Sequence, residues 1–281
     1  MGKMVDRYKR GIAFSSVSFI GFSVIYLISF TYSLTNVTMR DIQGTIDSGT
    51  YRLAIFNTMK FMVIAVPILF VLSFALALLM KQLVNGHKFI YNVLMAVNIF
   101  PMIVPSFIVA FVVRIFFEDY GIINGVLTGM GIQGISWLNS RFSFVLLILI
   151  YLWKYYGYCV VIFLGGLNSV DSESIEAARL DGAGEFVIAL KIAAPQMKKY
   201  FSFAVIIEII SVFKVFKESS ILFGDYPHSC VYMIQNYMNN CMYSLNYGKL
   251  VCAAVIMIAV FITVLLILLF KGNKENKGEF I

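Results

Sequence analysis

Apolar runs long enough to cross a bilayer recur along this chain, and they limit what it can fold into more than any other feature. A helix needs about 20 consecutive apolar residues to span the hydrocarbon. Six stretches qualify, at about 12–34, 60–80, 89–116, 142–167, 200–222 and 250–270, with polar breaks between them. Of the 281 residues, 60% are hydrophobic and 13% charged, with a mean hydropathy of +0.86. Soluble domains are nearer half apolar and a quarter charged. A soluble core of this size could not hide so much apolar surface, so the bilayer must take it. The expectation is an all-α membrane protein: one domain of six transmembrane helices over 12–270, between a short N-terminus (1–11) and a polar tail (271–281). The first run is too long for a signal-peptide core and lacks a small-residue cleavage site, so it is expected to be retained.

Basic residues orient the spans. With the N-terminus inside, the cytoplasmic side receives Lys3, Arg7, Lys9 and Arg10, then Lys81 and Lys88. It also receives Arg179, Lys191, Lys198 and Lys199, and finally Lys271, Lys274 and Lys277. The opposite loops hold Arg40, Arg52, Arg141 and Lys249. The positive-inside rule then places both termini in the cytoplasm and the chain in the cell membrane. The net charge of +7 forms no single patch, which argues against a nucleic-acid partner. The two histidines stand apart and the four cysteines lack C-x-x-C spacing, so no metal site is expected. Cys159 and Cys252 fall within spans as small apolar fillers. Cys230 and Cys241 share an outer loop, where either a disulfide or two free thiols fits, with free thiols the expectation. That loop, rich in Tyr and Asn, reads both as an interfacial segment and as a docking and gating surface. Pro101 and Pro105 predict a bend in the third span, because proline removes a backbone donor.

The longest cytoplasmic loop, 168–199, has internal design. Asp171 or Ser172 can cap a helix, and Glu173 and Glu176 suit the positive end of its dipole. Ile175, Ala178 and Leu180 offer apolar contacts, and Gly182 and Gly184 can end the helix. A second helix follows, with Phe186, Ile188, Leu190 and Ile192 apolar, and Pro195 is expected to end it. Two readings stay open on these residues. In one, a short rigid helix meets a soluble partner, with Ala177 and Ala178 permitting close approach and Glu176 and Asp181 making charge-assisted bonds. In the other, an amphipathic helix lies in the membrane interface.

The stretch EAARLDGAGEFVIALKIAAP resembles the EAA motif of ABC importer permeases. Glu176, Ala177 and Ala178 match its start, Asp181, Gly182 and Ala183 its centre, and Ile192 and Pro195 its end; Ala194 stands where the family usually has leucine. The resemblance implies a type I ABC importer permease fold in which the helix at about 172–181 is a coupling helix that docks on an ATP-binding subunit. Closure of two such subunits would rock the spans between inward-open and outward-open states. No G-x-x-x-x-G-K-[ST] loop occurs in this chain, so ATP and Mg are expected on two partner subunits, with no cofactor and no catalytic residue here. Upstream, Trp153, Gly157, Tyr158, Phe163, Leu164, Gly166 and Leu167 are similar to the carbohydrate (maltose-type) branch, and FKVFKESSILFGDYP resembles its next core span. That branch implies a second, different permease subunit, an extracytoplasmic solute-binding protein, and a sugar or oligosaccharide as solute. Alternatives are the same machine for a glycerol phosphate, polyol or acidic oligosaccharide, or an ion-coupled secondary transporter. The latter needs inverted repeats with broken helices, which the sequence does not display. A membrane enzyme needs a clustered catalytic set that two histidines and scattered acids do not supply.

A sugar pathway needs aromatic faces and polar groups. Trp153, Tyr155 and Tyr156 surround Lys154, while the fifth span carries Glu208, Ser211 and Lys214, and the third carries Asn98. Ionisable groups at bilayer depth pair with one another or face a water-filled path. At ~1.5 Å per residue, Lys154 lies roughly 20 Å and Glu208 roughly 12 Å from the cytoplasmic ends of their spans, a gap a lysine stem covers. Either Lys154 and Glu208 pair, or Lys154 or Lys214 faces the cavity. Asn98 either lines the path or bonds a neighbouring backbone.

Overall fold

The structure, a computed structural model, describes the backbone of residues 2–83 and 86–277, and side chains at 15–16, 19–83, 86–263 and 266. The side chains of Lys3, Arg7, Lys9, Arg10, Lys271, Lys274 and Lys277 lie outside the described set. Among the described residues all regular structure is helical. Helix α1 (Gly2–Thr35) turns through 86° into α2 (Met39–Ile46), and α3 (Gly49–Leu83) returns as a single run. Next come α4 (Lys88–Ile103), α5 (Ser106–Phe117), α6 (Ile122–Gly129) and α7 (Phe142–Asn168). The loop after α7 holds α8 (Ser172–Leu180), α9 (Glu185–Ile188), a π turn (Ala189–Ala193) and α10 (Ala194–Gln196). Then follow α11 (Lys198–Lys214), α12 (Phe216–Phe223), α13 (Ile234–Tyr243) and α14 (Tyr247–Lys277). Among the described residues two helices, α3 and α7, are each long and apolar enough to cross a membrane unaided; counting each bent pair as one span raises this to four.

The centre is the α3–α7 pair. Phe61, Leu69, Tyr151 and Phe163 are fully buried there, and Phe70, Phe74, Phe163 and Phe201 tie α11 to both through ring contacts of 4.8–5.7 Å. Gly157 sets how closely α4 can cross α7: a Cβ there would lie 2.1 Å from the Asn98 carbonyl oxygen. Helix α1 stands apart, with Phe19 through Leu34 exposed nearly all round. In a bilayer such a helix faces lipid or another chain.

The third predicted span, 89–116, is not one helix. It bends by 95° at Val104–Pro105. Pro105 has no N–H to offer the Pro101 carbonyl and forces Val104 into an extended conformation (φ −63°, ψ 125°). Pro101, by contrast, is carried inside α4 without a break. The second span starts eleven residues earlier than expected, at Gly49 rather than 60, so Arg52 sits in its first turn rather than in a loop. The fifth, 200–222, is interrupted for the single residue Val215, which keeps helical dihedrals (φ −62°, ψ −14°), donates to the Ser211 carbonyl and accepts from the Ser219 N–H.

The outer segments are built rather than loose. Asn57 of α3 donates to the carbonyls of Ser229 (2.6 Å) and Tyr232 (2.9 Å), and the Thr58 hydroxyl accepts from the Ile234 N–H at the start of α13. All four cysteines are free, and Cys159 does more than fill space, since it donates to Glu208. Between α5 and α7, buried Asn124 donates to the carbonyls of Glu118, Asp119 and Ile135, and accepts from Ile135 N–H and the Trp137 indole. Asn124→Ala strands both donors, at about 1–3 kcal/mol each where buried. Hydrogen exchange over 119–137 in the detergent-solubilised chain should then quicken by at least about tenfold, while exchange in α7 stays unchanged.

Candidate functional site

The loop between α7 and α11 folds as a closed unit. Asp171 is the cap, its carboxylate accepting from the Glu173 and Ser174 N–H groups and the Ser174 hydroxyl. The Ser174 bond, then the Glu173 N–H, hold the carboxyl below its ordinary range, so the cap is charged at neutral pH. At the other end Gly182 adopts φ +80°, and two bonds close a Schellman turn: Gly182 N–H to Arg179 C=O, and Ala183 N–H to Ala178 C=O. Gly184 plays a different part. It is extended and precedes α9. Arg179 makes two bonds to Glu185 across this turn (2.9 and 3.3 Å), and Asp171 N–H donates to Gln196, joining the loop's start to its end. Lys81 at the end of α3 donates to Asn168, where α7 leads into the loop.

None of α8 is buried. Ile175 packs partly against the membrane core, but Leu180, expected to make an apolar contact, is 89% exposed, and Phe186 on α9 is 76% exposed. Glu176, Ala177, Asp181 and Gly182 are exposed with them. Ala178, Ala183 and Ile192 are half-buried beneath. Pro195 does not end the second helix as expected. The preceding residues widen into the π turn, which accommodates the missing N–H, and the helical path continues to Gln196. The loop therefore presents a capped helix whose exposed face carries Glu176, Ala177 and Leu180.

Deeper in the bundle, the ionisable residues pair differently from the arrangement considered above. Lys154 donates to Glu218 and, at 3.2 Å, to the Ser106 hydroxyl, which itself donates to Glu218 at 2.7 Å. Glu208 makes no contact ion pair among the described residues. It accepts from the Tyr151 hydroxyl (2.8 Å) and the Cys159 thiol (3.3 Å). Helical geometry explains the correction: positions 151, 155 and 159 share one face of α7, and Lys154 points about 100° away from Tyr155. That face meets α5 and α12 instead of α11.

The remaining candidates are spread out. Tyr155 is buried, its ring 5.2 Å from that of Tyr151. Asn98 is buried and bonds its own helix at Leu94 C=O (2.7 Å) and the Met80 sulfur. Ser211 is buried and bonds Ile207 C=O. Lys214 is exposed, and so is Trp153, which borders two open apolar grooves of about 840 and 420 Å3. Glu218, Ser106, Tyr151 and Cys159 were missed. Glu218 was findable, because the cost of an ionisable group at bilayer depth applied to the KESS stretch as much as to Glu208.

The chain is thus a bent-helix bundle around a central helix pair, with one short helix held out on the loop after α7. The model of the family "binding-protein-dependent transport system inner membrane component" matches residues 73–271, and the chain belongs to that family. It is 26% identical over 193 residues to the trehalose/maltose transport system permease protein of Thermococcus litoralis, a match over 68% of this chain and 64% of that one, just under two thirds. It is 23% identical to the arabinooligosaccharides transport system permease protein of Bacillus subtilis, over 92% of this chain and 88% of that one. The lactose transport system permease protein of Rhizobium radiobacter is 30% identical over 59% of this chain and 55% of that one. In structure, a chain of a bacterial ABC transporter involved in import of the acidic polysaccharide alginate superposes with a TM-score of 0.83, at 18% identity, over 97% of this chain and 98% of that chain. The fold of the two chains is the same.

Proposed function

We propose that this chain is one of two permease subunits of an ATP-driven importer that receives a sugar or oligosaccharide from an extracytoplasmic solute-binding protein. Family membership and the sugar permeases among its relatives support the solute class. The observation that carries the mechanism is the exposed, doubly secured helix α8. A helix capped by Asp171, ended by Gly182 and buried nowhere is shaped to be gripped by another protein. In this reading α8 docks on an ATP-binding subunit, through Glu176, Ala177, Ala178 and the Asp181–Gly182–Ala183 turn, with Ile192 and Pro195 shaping its support. ATP and Mg stay on that partner. Six spans complete the membrane domain, with α4–α5 and α11–α12 each crossing once and α1 and α14 the outermost, and both termini are cytoplasmic. Trp153 and Lys214, the exposed candidates, face the solute, while Asn98, Lys154, Tyr155, Glu208 and Ser211 hold the walls of the path.

An acidic oligosaccharide is the second reading. Lys214 and Lys217 are exposed three residues apart and make no contact ion pair among the described residues, although Lys214 lies near enough to Glu208 to act on it electrostatically, and exposed cations at this depth favour an anionic partner. The structural relative is an importer of an acidic polysaccharide.

Ala177→Arg tests the docking. Because Ala177 is exposed, the chain should reach the membrane in normal amount, yet co-purification of the ATP-binding subunit should fall at least about tenfold. Normal recovery of that subunit with the arginine in place would remove α8 as the contact. Gly182→Val should weaken the same association more mildly, since a β-branched residue at φ +80° costs about 1–2 kcal/mol or more.

A further inference from the structure

One span of this chain bends by 95° inside the membrane domain, another is interrupted for the single residue Val215, and one buried cluster joins the segments that follow these two points. Ser106 is the first residue of α5, directly after the 95° bend. Glu218 is in the first turn of α12, directly after the interruption at Val215. Lys154 lies midway along α7, which is continuous and leads straight into Asp171 and α8. One oxygen of Glu218, Oε1, accepts from both Ser106 and Lys154. The side chains of Lys154 and Glu218 are 8% and 1% exposed. Neither lines the two grooves that Trp153 borders. At their far ends, α5 and α12 are joined again by Arg114, which donates to the carbonyls of Ile221 and Leu222 (both 3.3 Å).

A buried ion pair is poor glue, since replacing both members with apolar residues of similar size is often neutral or stabilising. Its attested use is to fix one arrangement over others. Here the arrangement fixed is the seating of α5 and α12 on α7. We propose that Ser106, Lys154 and Glu218 form a coupling catch: they make the two segments beyond the interruptions move as one body with the helix that ends at α8. The three are positioning residues and touch no solute. Without the catch, α7 would follow α8 while α5 and α12 lagged, and ATP would be hydrolysed without moving solute.

The inference rests on the importer reading, and the test separates the two. The full complex, with wild-type chain or with Lys154→Met/Glu218→Met, is reconstituted in proteoliposomes with its solute-binding protein and ATP. Labelled maltotriose, arabinotriose and trigalacturonate are the probes, and the one that stimulates the wild type is carried forward. The double variant leaves no buried charge unpaired. It is expected to assemble in normal amount and keep stimulated ATP hydrolysis within about twofold, while solute imported per ATP falls at least about tenfold. Ser106→Ala, which removes one bridge and orphans no charge, should lower that ratio about threefold, so the catch is testable even if the double variant assembles poorly. A double variant or Ser106→Ala with the wild-type ratio overturns the catch and leaves the importer intact. A wild type that imports none of the probes and shows no stimulated hydrolysis overturns both.

Discussion

Gly157→Ala should lower the melting temperature of the solubilised chain by about 6–12 °C, or prevent its accumulation in the membrane. The added carbon would sit 2.1 Å from the Asn98 carbonyl oxygen, and the obstacle is backbone rather than a flexible side chain. Helix α4 must therefore move off α7. Overpacking costs typically about 1–3 kcal/mol, and a backbone clash belongs at the upper end. At about 2–4 °C per kcal/mol for a chain of this size, that gives the range above. Gly165→Ala is the control. It lies on the same helix, and its Cβ would meet only the edge of the Tyr200 ring at 3.9 Å. Alanine there gains about 0.5–1 kcal/mol of helix preference, so its melting temperature should hold or rise. Equal losses at both positions would contradict the close crossing at Gly157.

Lys154→Met alone should be the most damaging single change in the buried polar set. It removes the one cation bonded to Glu218, which is 1% exposed, and leaves only the Ser106 hydroxyl on that carboxylate. Breaking a buried pair from one side costs about 3–5 kcal/mol. A fall in melting temperature of about 10 °C or more is expected. Adding Glu218→Met should recover most of it, because the stranded charge goes with it. A loss under about 2 °C for the single variant would place Glu218 in contact with water or another cation.

The membrane class, the run of α7 and the capped helix with its glycine turn in the loop after α7 were legible in the sequence because each rests on local chemistry. Twenty apolar residues, an Asp before Ser-Glu-Ser, and a glycine after Leu180–Asp181 act over one or two helical turns. Pro105 announced the α4–α5 bend for the same reason. The interruption at Val215 carries neither proline nor glycine, so no local signal marked it. The pairing of Lys154 was misjudged because depth was counted and rotation was not: Glu208 and Glu218 both lie within reach along the membrane normal, and only the helix face chooses between them. The outer polar hubs at Asn57 and Asn124 were invisible for a related reason, since their partners lie on elements whose mutual placement no single segment encodes.

Purifying the chain together with its neighbouring gene products, and measuring ATP hydrolysis by the reconstituted complex with and without loaded solute-binding protein, tests the central claim most directly. The account predicts that a second permease and an ATP-binding subunit co-purify. It also predicts that hydrolysis rises several-fold with the binding protein loaded by one sugar of a panel of neutral and acidic oligosaccharides, and that labelled sugar enters the vesicles only when ATP is present. Transport that follows an ion gradient, with no ATP-binding subunit attached and no response to binding protein, would contradict it.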